Sequence, residues 1–355
     1  MARNPASPKH NRRRMGVEWE ELPQGIIESI SKRLTISGSA VYVAAGVPLS
    51  PKPLSIYHHN FHGSLISHNS FYDLSTRKIH CLDLPLSPSY GTRICSSSHG
   101  WLVVFYEVSA LHLYNPITHA SLILPSLCTF PELVRKLLDD YNNLFLTKFV
   151  LLSNPSLSND FAALAILDRS ELAFYREGYD SWDLPGENEK HQWIDAVYKN
   201  GSFYVVDMSG TIAVCDVEDH QVSIIENVNS VHISNDIYYL VFSGDDMLLV
   251  TRYFQDEDQT VGFQILKMNW YVLKWEEVQT LVENALFIGR NASLSVSAAD
   301  FVGCRPNCIY FTSDVSGKYD LGIFSLSDWS IEPLPCYPQN LYYHFGCPIW
   351  VTPNP

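Results

Sequence analysis

The chain has 355 residues, 46% of them hydrophobic and 13% aromatic, which is enough apolar material for a substantial core. Its formal net charge of −14 argues against general binding to nucleic-acid phosphates or anionic membranes, because both need clustered Lys and Arg. Twenty Pro and eighteen Gly beside twenty Tyr and seventeen Phe favour many short strands joined by turns over long helices. The expected macromolecular partner is therefore a protein. No run of about 18 apolar residues is present to span a bilayer, and the start lacks the apolar stretch of a secretory signal. The expected location is inside the cell, in nucleus or cytoplasm, with an organelle second.

Eight cysteines are scattered along the chain, which fits free thiols in a reducing compartment. Cys304 and Cys308 have the spacing of half a zinc site, but no second Cys/His pair at finger or ribbon spacing completes it. Neither a metal nor a cofactor is expected.

Residues 1–17 form a basic tail with Lys9, Arg12, Arg13 and Arg14 and no acid, and the composition predicts disorder. The three arginines also fit a weak nuclear signal, and the acid-free start fits a transit peptide. Residues 18–35 then predict a short amphipathic helix. Leu22, Ile26, Ile27, Ile30 and Leu34 share one face, Pro23 suits the first turn, and Lys32 and Arg33 complement the dipole at the end. Taken alone, this pattern describes a helix that packs on the domain behind it. Residues 36–60, with Pro48, Pro51 and Pro53, read as a linker.

From 61 to 352 a hairpin pattern repeats: an apolar strand, a polar turn, and a second strand that ends in Leu-Pro or a similar stop. Phe71–Ile79 leads to Leu84-Pro85, Leu113–Thr118 to Leu124-Pro125, Leu172–Tyr175 to Leu184-Pro185, and Ile323–Asp328 to Leu334-Pro335. Weaker copies lie at Val214–Asp219 and Leu266–Trp270. The turns recur at roughly 40 to 60 residues, the scale of a four-stranded propeller blade. Gly201–Asp207 and Met247–Thr251 are apolar enough for inner strands. The expected fold is mainly β, a propeller of about six blades. One amphipathic helix, at 131–140, is expected to pack between blades.

Catalytic signatures are thin. The Gly-x-Ser-x-Gly, phosphate-loop and His-Glu-x-x-His patterns are all missing from the sequence. Asp245-Asp246 and Asp256-Glu257-Asp258 read as exposed loop tips, and His58, His59, His62 and His68 lack metal-ligand spacing. Asp180-Ser181-Trp182 and Tyr342–Phe345 are plausible partner contacts, although aromatics in propellers more often belong to the core. The chain is not expected to be an enzyme, and no target-contact residue is assigned.

Several short motifs occur in order: Ser97-Ser98-His99-Gly100-Trp101-Leu102, Asn115-Pro116-x-Thr118, Leu151-Leu152-Ser153-x-Pro155-Ser156, and Gly289-x-x-x-Ser293-x-Ser295-Val296-Ser297-Ala298. Cys304–Thr312 and Trp329–Pro335 follow them. Together they resemble plant F-box proteins whose C-terminal region is domain of unknown function 295, a kelch-like β-propeller. The resemblance implies a substrate-recruiting subunit of an SCF-type ubiquitin ligase, with a Skp-type adaptor and cullin complex as partners and a target protein still to be identified. Leu22, Pro23, Ile26, Ile27, Ile30 and Leu34 fall on the adaptor-binding positions of an F-box helix. The usual second half, with its Val-Cys and Trp-Arg pairs, does not follow Leu34. The alternative is a stand-alone propeller interaction module without adaptor binding.

Overall fold

The computed structural model describes residues 42–46, 69–74, 78–82, 93–106, 110–115, 118–126, 146–158, 160–167, 171–185, 191–216, 218, 221–227, 236–255, 259–301, 303–312, 320–334 and 349–351. The adaptor positions Leu22, Pro23, Ile26, Ile27, Ile30 and Leu34 lie outside them. So do the basic tail, the helical pattern at 131–140, the histidines at 58–68, Asp256–Asp258 and Tyr342–Phe345.

The architecture is a mainly β propeller, as the hairpin repeat predicts. Strands β1 (Tyr42–Gly46), β2 (Asn69–Asp73) and β3 (Lys78–Leu82) form one antiparallel run. The next sheet is β4 (Arg93–Ser98), β5 (Trp101–Tyr106), β6 (Ala110–Tyr114) and β7 (Ser121–Leu124). A three-stranded sheet of β8 (Leu146–Leu151), β9 (Ala162–Leu167) and β10 (Leu172–Arg176) follows, edged by a bridge from Phe174 to Asp183. Strands β11 (Trp193–Lys199), β12 (Ser202–Asp207), β13 (Thr211–Asp216) and β14 (Val222–Asn227) make the next, and β15 (Ile237–Ser243), β16 (Asp246–Gln255), β17 (Gln259–Asn269) and β18 (Lys274–Glu277) the one after.

The last sheet departs from the simple meander. It contains β19 (Asn284–Ile288), β20 (Ser293–Ser297), β21 (Cys308–Phe311), β22 (Gly322–Ser325) and β23 (Ile331–Pro333) in the order β20-β19-β21-β22-β23, with β21 parallel to β19. Finally β24 (Ile349–Val351) returns to pair with β1. Against the expected count of about six blades, five follow one another from β4 to β23, and a sixth sheet, β24-β1-β2-β3, unites the two ends of the described chain. Strand β1 falls inside the segment read as linker. Its Tyr-Val-Ala-Ala-Gly sequence carries strand formers, but the prolines that follow mask them.

The core lies between the sheets. Along β9, Ala163, Ala165 and Leu167 pack against Trp101, Val103 and Leu113 of the preceding blade, while Ala162, Leu164 and Ile166 pack against Trp193, Phe203 and Val205 of the following one. Successive side chains point to opposite faces, so a sheet covered on both faces is apolar throughout. All six β9 residues are buried. The same division repeats at the next junctions, where Val206 and Ile212 meet Leu240 and Leu249, Val241 and Phe263 meet Leu286 and Ile309, and Phe287 and Tyr310 meet Trp350.

Polar ties span the innermost strands β8, β11, β15 and β20. Lys148 of β8 pairs with Asp195 of β11, the two side chains being 1% and 2% exposed. Ser293 of β20 accepts from Lys148 Nζ at 3.1 Å and donates to Asp195 Oδ2 at 2.9 Å. Asp195 also accepts from the Leu240 and Ala196 amides at 2.8 and 2.9 Å. One carboxylate thereby joins four innermost strands. Breaking a buried pair from one side leaves an uncompensated charge. Lys148→Met should therefore cost about 3–5 kcal/mol in urea unfolding, and adding Asp195→Asn should recover part of that loss. A cost below about 1 kcal/mol for the single variant would mean that the pair is no tie.

Candidate interaction surface

The motifs singled out in the sequence converge on blade junctions. His99 and Gly100, at φ 50° and 77°, form the two-residue turn between β4 and β5 that twisted hairpins favour. This turn aims His99 and Ser98 at one residue of the next blade: Leu151 donates its amide to Ser98 Oγ at 3.1 Å, and its carbonyl lies 3.2 Å from His99 Nε2. The Trp101 indole donates to Asn154 Oδ1 at 3.0 Å, and that same oxygen receives the Ser156 amide at 2.9 Å. The first and third motifs thus hold one junction together.

The Gly289–Ala298 block also makes a tie between sheets, and the Cys304–Thr312 block makes one within its own blade. A Cβ at Gly289 would meet Thr312 Oγ1 at 2.1 Å, so this position requires glycine. Two residues on, Asn291 donates to the Trp350 carbonyl at 2.9 Å and accepts the Trp350 amide at 3.0 Å. Asn307, at φ 57°, accepts from the Leu281 amide at 2.8 Å and from the Thr280 hydroxyl at 3.1 Å, and donates to Ser327 at 3.1 Å. Cys304 and Cys308 flank it as free thiols, and burial pushes Cys304 up to about 11 and Cys308 up as well. Among the described residues no group of three or more His, Cys, Asp or Glu is placed to hold a metal.

Of the acidic residues read from the sequence as exposed loop tips, Asp245 and Asp246 lie within the described residues, at the turn between β15 and β16. Asp245 is 94% exposed beside Lys199, and Asp246 is half-exposed and bound to Lys267 at 2.7 Å. Asp207 is buried beneath His191, whose Nδ1 lies 2.7 Å away, and it accepts from the Ser209 hydroxyl and amide and the Thr211 amide. Burial pushes the Asp207 carboxyl up, but hydrogen bonds from Ser209, His191 and Thr211 outweigh it and hold the group below its usual range. The serine bonds the carboxylate rather than the imidazole, so this is a turn cap and not a nucleophile with its base.

Trp182, named as a plausible partner contact, is 3% exposed, packs on Tyr175 and Phe149, and donates to the Pro125 carbonyl at 3.0 Å. It belongs to the core, while its neighbours Asp180 and Ser181 are exposed.

The sequence locates the outer hairpins but not the backbone conformation of their turns. After Asn115 and Ser325 the chain makes the same six-residue turn: Asn115 donates to Ala120 O at 2.9 Å and His119 to Asn115 O at 2.9 Å, while Ser325 donates to Ser330 O and Trp329 to Ser325 O, both at 2.9 Å. The turn from Asn269 to Lys274 has the same length. Its fifth residue is left-handed each time: His119 at φ 56°, Leu273 at 50° and Trp329 at 58°. Glycine or asparagine fits that position without strain, whereas a bulky side chain costs about 1–2 kcal/mol. Two of these turns also expose apolar groups. Trp270, Tyr271, Val272 and Leu273 are all exposed, Tyr271 completely, and Trp329 is 63% exposed. Four consecutive exposed apolar residues are a solubility defect unless they serve contact.

Between β17–β18 and β22 lies a small, water-sized surface crevice. Phe263, Ile265, Val278, Phe324, Leu326 and Trp329 form its apolar walls, and Gln264, Glu277 and Gln279 its polar side. Trp329 meets Phe324 edge-on with centroids 6.0 Å apart.

The family description "KIB1-4 beta-propeller" matches residues 71–325, and the chain belongs to that family. Among curated relatives, the Arabidopsis thaliana F-box protein SKIP23 is 26% identical over 95% of this chain and 96% of its own length. F-box protein At2g26160 of the same plant is 24% identical over 84% of this chain and 96% of that relative. A more local match, 37% identical, covers 26% of this chain and 21% of F-box protein At2g17690, also from Arabidopsis thaliana. Among solved structures, the β-propeller domain of Myceliophteria thermophila Cps50 (Swd1) covers 76% of this chain and 80% of its own at 12% identity and a TM-score of 0.38, too slight a likeness to add to the assignment. Among the described residues no helix is long and apolar enough to cross a membrane.

The junction residue His99 predicts a pH response. Burial pushes its imidazole below the ordinary value, partly offset by the hydrogen bond with Leu151 O. The unfolded chain then takes up this proton at higher pH than the folded one, so stability is full above about 6.5 and falls as pH drops from there toward the folded value. His99→Asn keeps a side chain that tolerates positive φ and removes this titration. The thermal midpoint should fall less between pH 7.5 and 5 in the variant than in the parent, and parallel curves would exclude the assignment.

Proposed function

We propose that the chain is a substrate receptor of an SCF-type ubiquitin ligase, with the propeller recruiting a target protein and the N-terminal helix a Skp-type adaptor and its cullin. Membership in a family whose curated relatives are F-box proteins supports the receptor role. The observation that carries target recruitment is the run of four exposed apolar residues, Trp270–Leu273, in the β17–β18 turn. Contact energy concentrates on large aromatic side chains able to enter a partner, and a rigid scaffold bearing shaped turns is how such side chains are presented. In this reading the chain catalyses nothing and needs no cofactor, and it works in the nucleus or cytoplasm.

Leu22, Pro23, Ile26, Ile27, Ile30 and Leu34 are the proposed adaptor contacts. A second reading is favoured by one observation, that the sequence after Leu34 lacks the rest of an F-box. A lone short helix is marginal in water and buries little surface, so the propeller would then act as an uncoupled interaction module.

A pull-down with a plant Skp-type adaptor separates the two. The full chain should retain the adaptor, while a chain lacking residues 1–35 and the variant Ile27→Asp/Ile30→Asp should lose it. Absence of binding by the folded full-length chain would exclude the ligase reading and leave the uncoupled module.

A further inference from the structure

We infer that the exposed sector formed by the β17–β18 turn, the loop at 280–283 and the β22–β23 turn docks a basic, leucine-bearing segment of the target protein. The inference rests on the reading of the propeller as the target-recruiting part and deepens it, but does not depend on the adaptor.

The three segments share one end of the propeller. Ties between neighbouring blades fix that end: Lys199, at the end of β11, donates to Gly244 O in the β15–β16 turn at 2.7 Å, and Asn284, at the start of β19, donates to Ser243 Oγ at 3.0 Å. Lys267 reaches Asp246 at 2.7 Å, which sets the β17–β18 hairpin beside the β15–β16 turn. Asn307 accepts from the Leu281 amide and donates to Ser327 Oγ, so it holds the loop at 280–283 against the β22–β23 turn.

Backbone strain marks the same sector. Among the described residues, the large apolar side chains at positive φ are Leu273 at 50°, Val282 at 57° and Trp329 at 58°, and all three are more than half exposed. A β-branched valine at positive φ is an outlier, and strain of this kind clusters where side chains clamp a ligand. Burial within the chain does not account for it, because these side chains face water. Tyr271, fully exposed, and Val272 extend the apolar surface at the tip of the β17–β18 turn.

Charge selects the occupant. Lys199, Lys267 and Arg305 are engaged by Asp245, Asp246 and Glu332, which leaves Lys274 as the one unengaged cation of the sector among the described residues. Against it stand five exposed carboxylates without a cation among the described residues: Glu276, Glu277, Glu283, Asp300 and Asp328. Hydrogen bonds from Ser325 and Ser330 hold the Asp328 carboxyl below its usual range, so it stays ionised. Such an excess repels anionic lipid and nucleic acid, and a second copy meeting this sector would set like charges against like. A basic protein segment is attracted, and its leucines give Tyr271, Val272 and Trp329 an apolar contact.

The assay uses the full chain and three fluorescently labelled synthetic peptides: alternating Lys and Leu, the same with Glu for Lys, and the same with Ser for Leu. Anisotropy should show the Lys/Leu peptide binding tightest. Tyr271→Ser/Val272→Ser should weaken it at least about tenfold, and Glu283→Gln/Asp328→Asn about threefold with a shallower salt dependence. Met208→Ser, an exposed apolar change in the β12–β13 turn at the opposite end, should leave binding unchanged. Each altered side chain is exposed, so thermal midpoints should stay within about 3 °C of the parent. Equal binding of the Ser peptide, the same loss in Met208→Ser, or no peptide binding at all would overturn the proposal. Equal binding of the Glu peptide would also overturn it, while leaving Trp270–Leu273 as a recruiting turn. Flotation with phosphatidylcholine vesicles, or a dimer in light scattering, that Tyr271→Ser/Val272→Ser abolishes would make a membrane or a second copy the occupant instead. Because no adaptor enters this assay, its failure is distinguishable from failure of the ligase reading.

Discussion

Ring closure is the constraint on which the rest of this propeller depends. Each sheet buries both faces only when a neighbour covers each of them, so an open ring would leave two apolar faces in water. The three residues of β24 close it. They pair with β1 in one sheet and are tied to the preceding blade by Asn291, whose amide engages the Trp350 amide and carbonyl together as a neighbouring strand would. The Trp350 ring meets Phe287 edge-on at 4.9 Å, Phe287 stacks on Tyr310 at 4.5 Å, and the indole donates to the Ile288 carbonyl at 2.8 Å. On the inner side, the Lys148–Asp195 pair and Ser293 tie β8, β11 and β20 to one another.

This division of labour explains what the motifs are for. Ser98, His99 and Trp101 bind the next blade, Asn291 binds the closing strand, and Asn307 fastens a loop to the outer turn of its own blade. None of them faces a partner. The side chains free to do so sit at the fifth position of the outer turns, where Leu273 and Trp329 bear backbone strain that the fold does not require.

The outer hairpins were legible in the sequence because they are half-exposed: an alternating strand, an Asn or Ser at the turn and a Leu-Pro stop are local chemistry. The innermost strands were less so. Trp193–Lys199 and Leu146–Leu151 are buried on both faces and lose the alternation that marks a strand, and the single Lys148 and Asp195 within them gave no hint that they meet. The parallel pairing of β21 with β19 was beyond local reading, since it depends on a crossover through residues 298–307. Trp182 and Trp329 both sit beside turns, and sequence does not say which is core. Their exposure, 3% for Trp182 against 63% for Trp329, separates them and is visible only in three dimensions.

The closure claim is tested most directly by hydrogen exchange on the chain ended before Ile349, beside the full chain. Loss of β24 should strip protection from β19–β21 on one side and β4–β5 on the other, and lower the midpoint of the whole propeller rather than loosen one edge. Unchanged protection in those strands would contradict the account, because the ring would then hold without its closing strand.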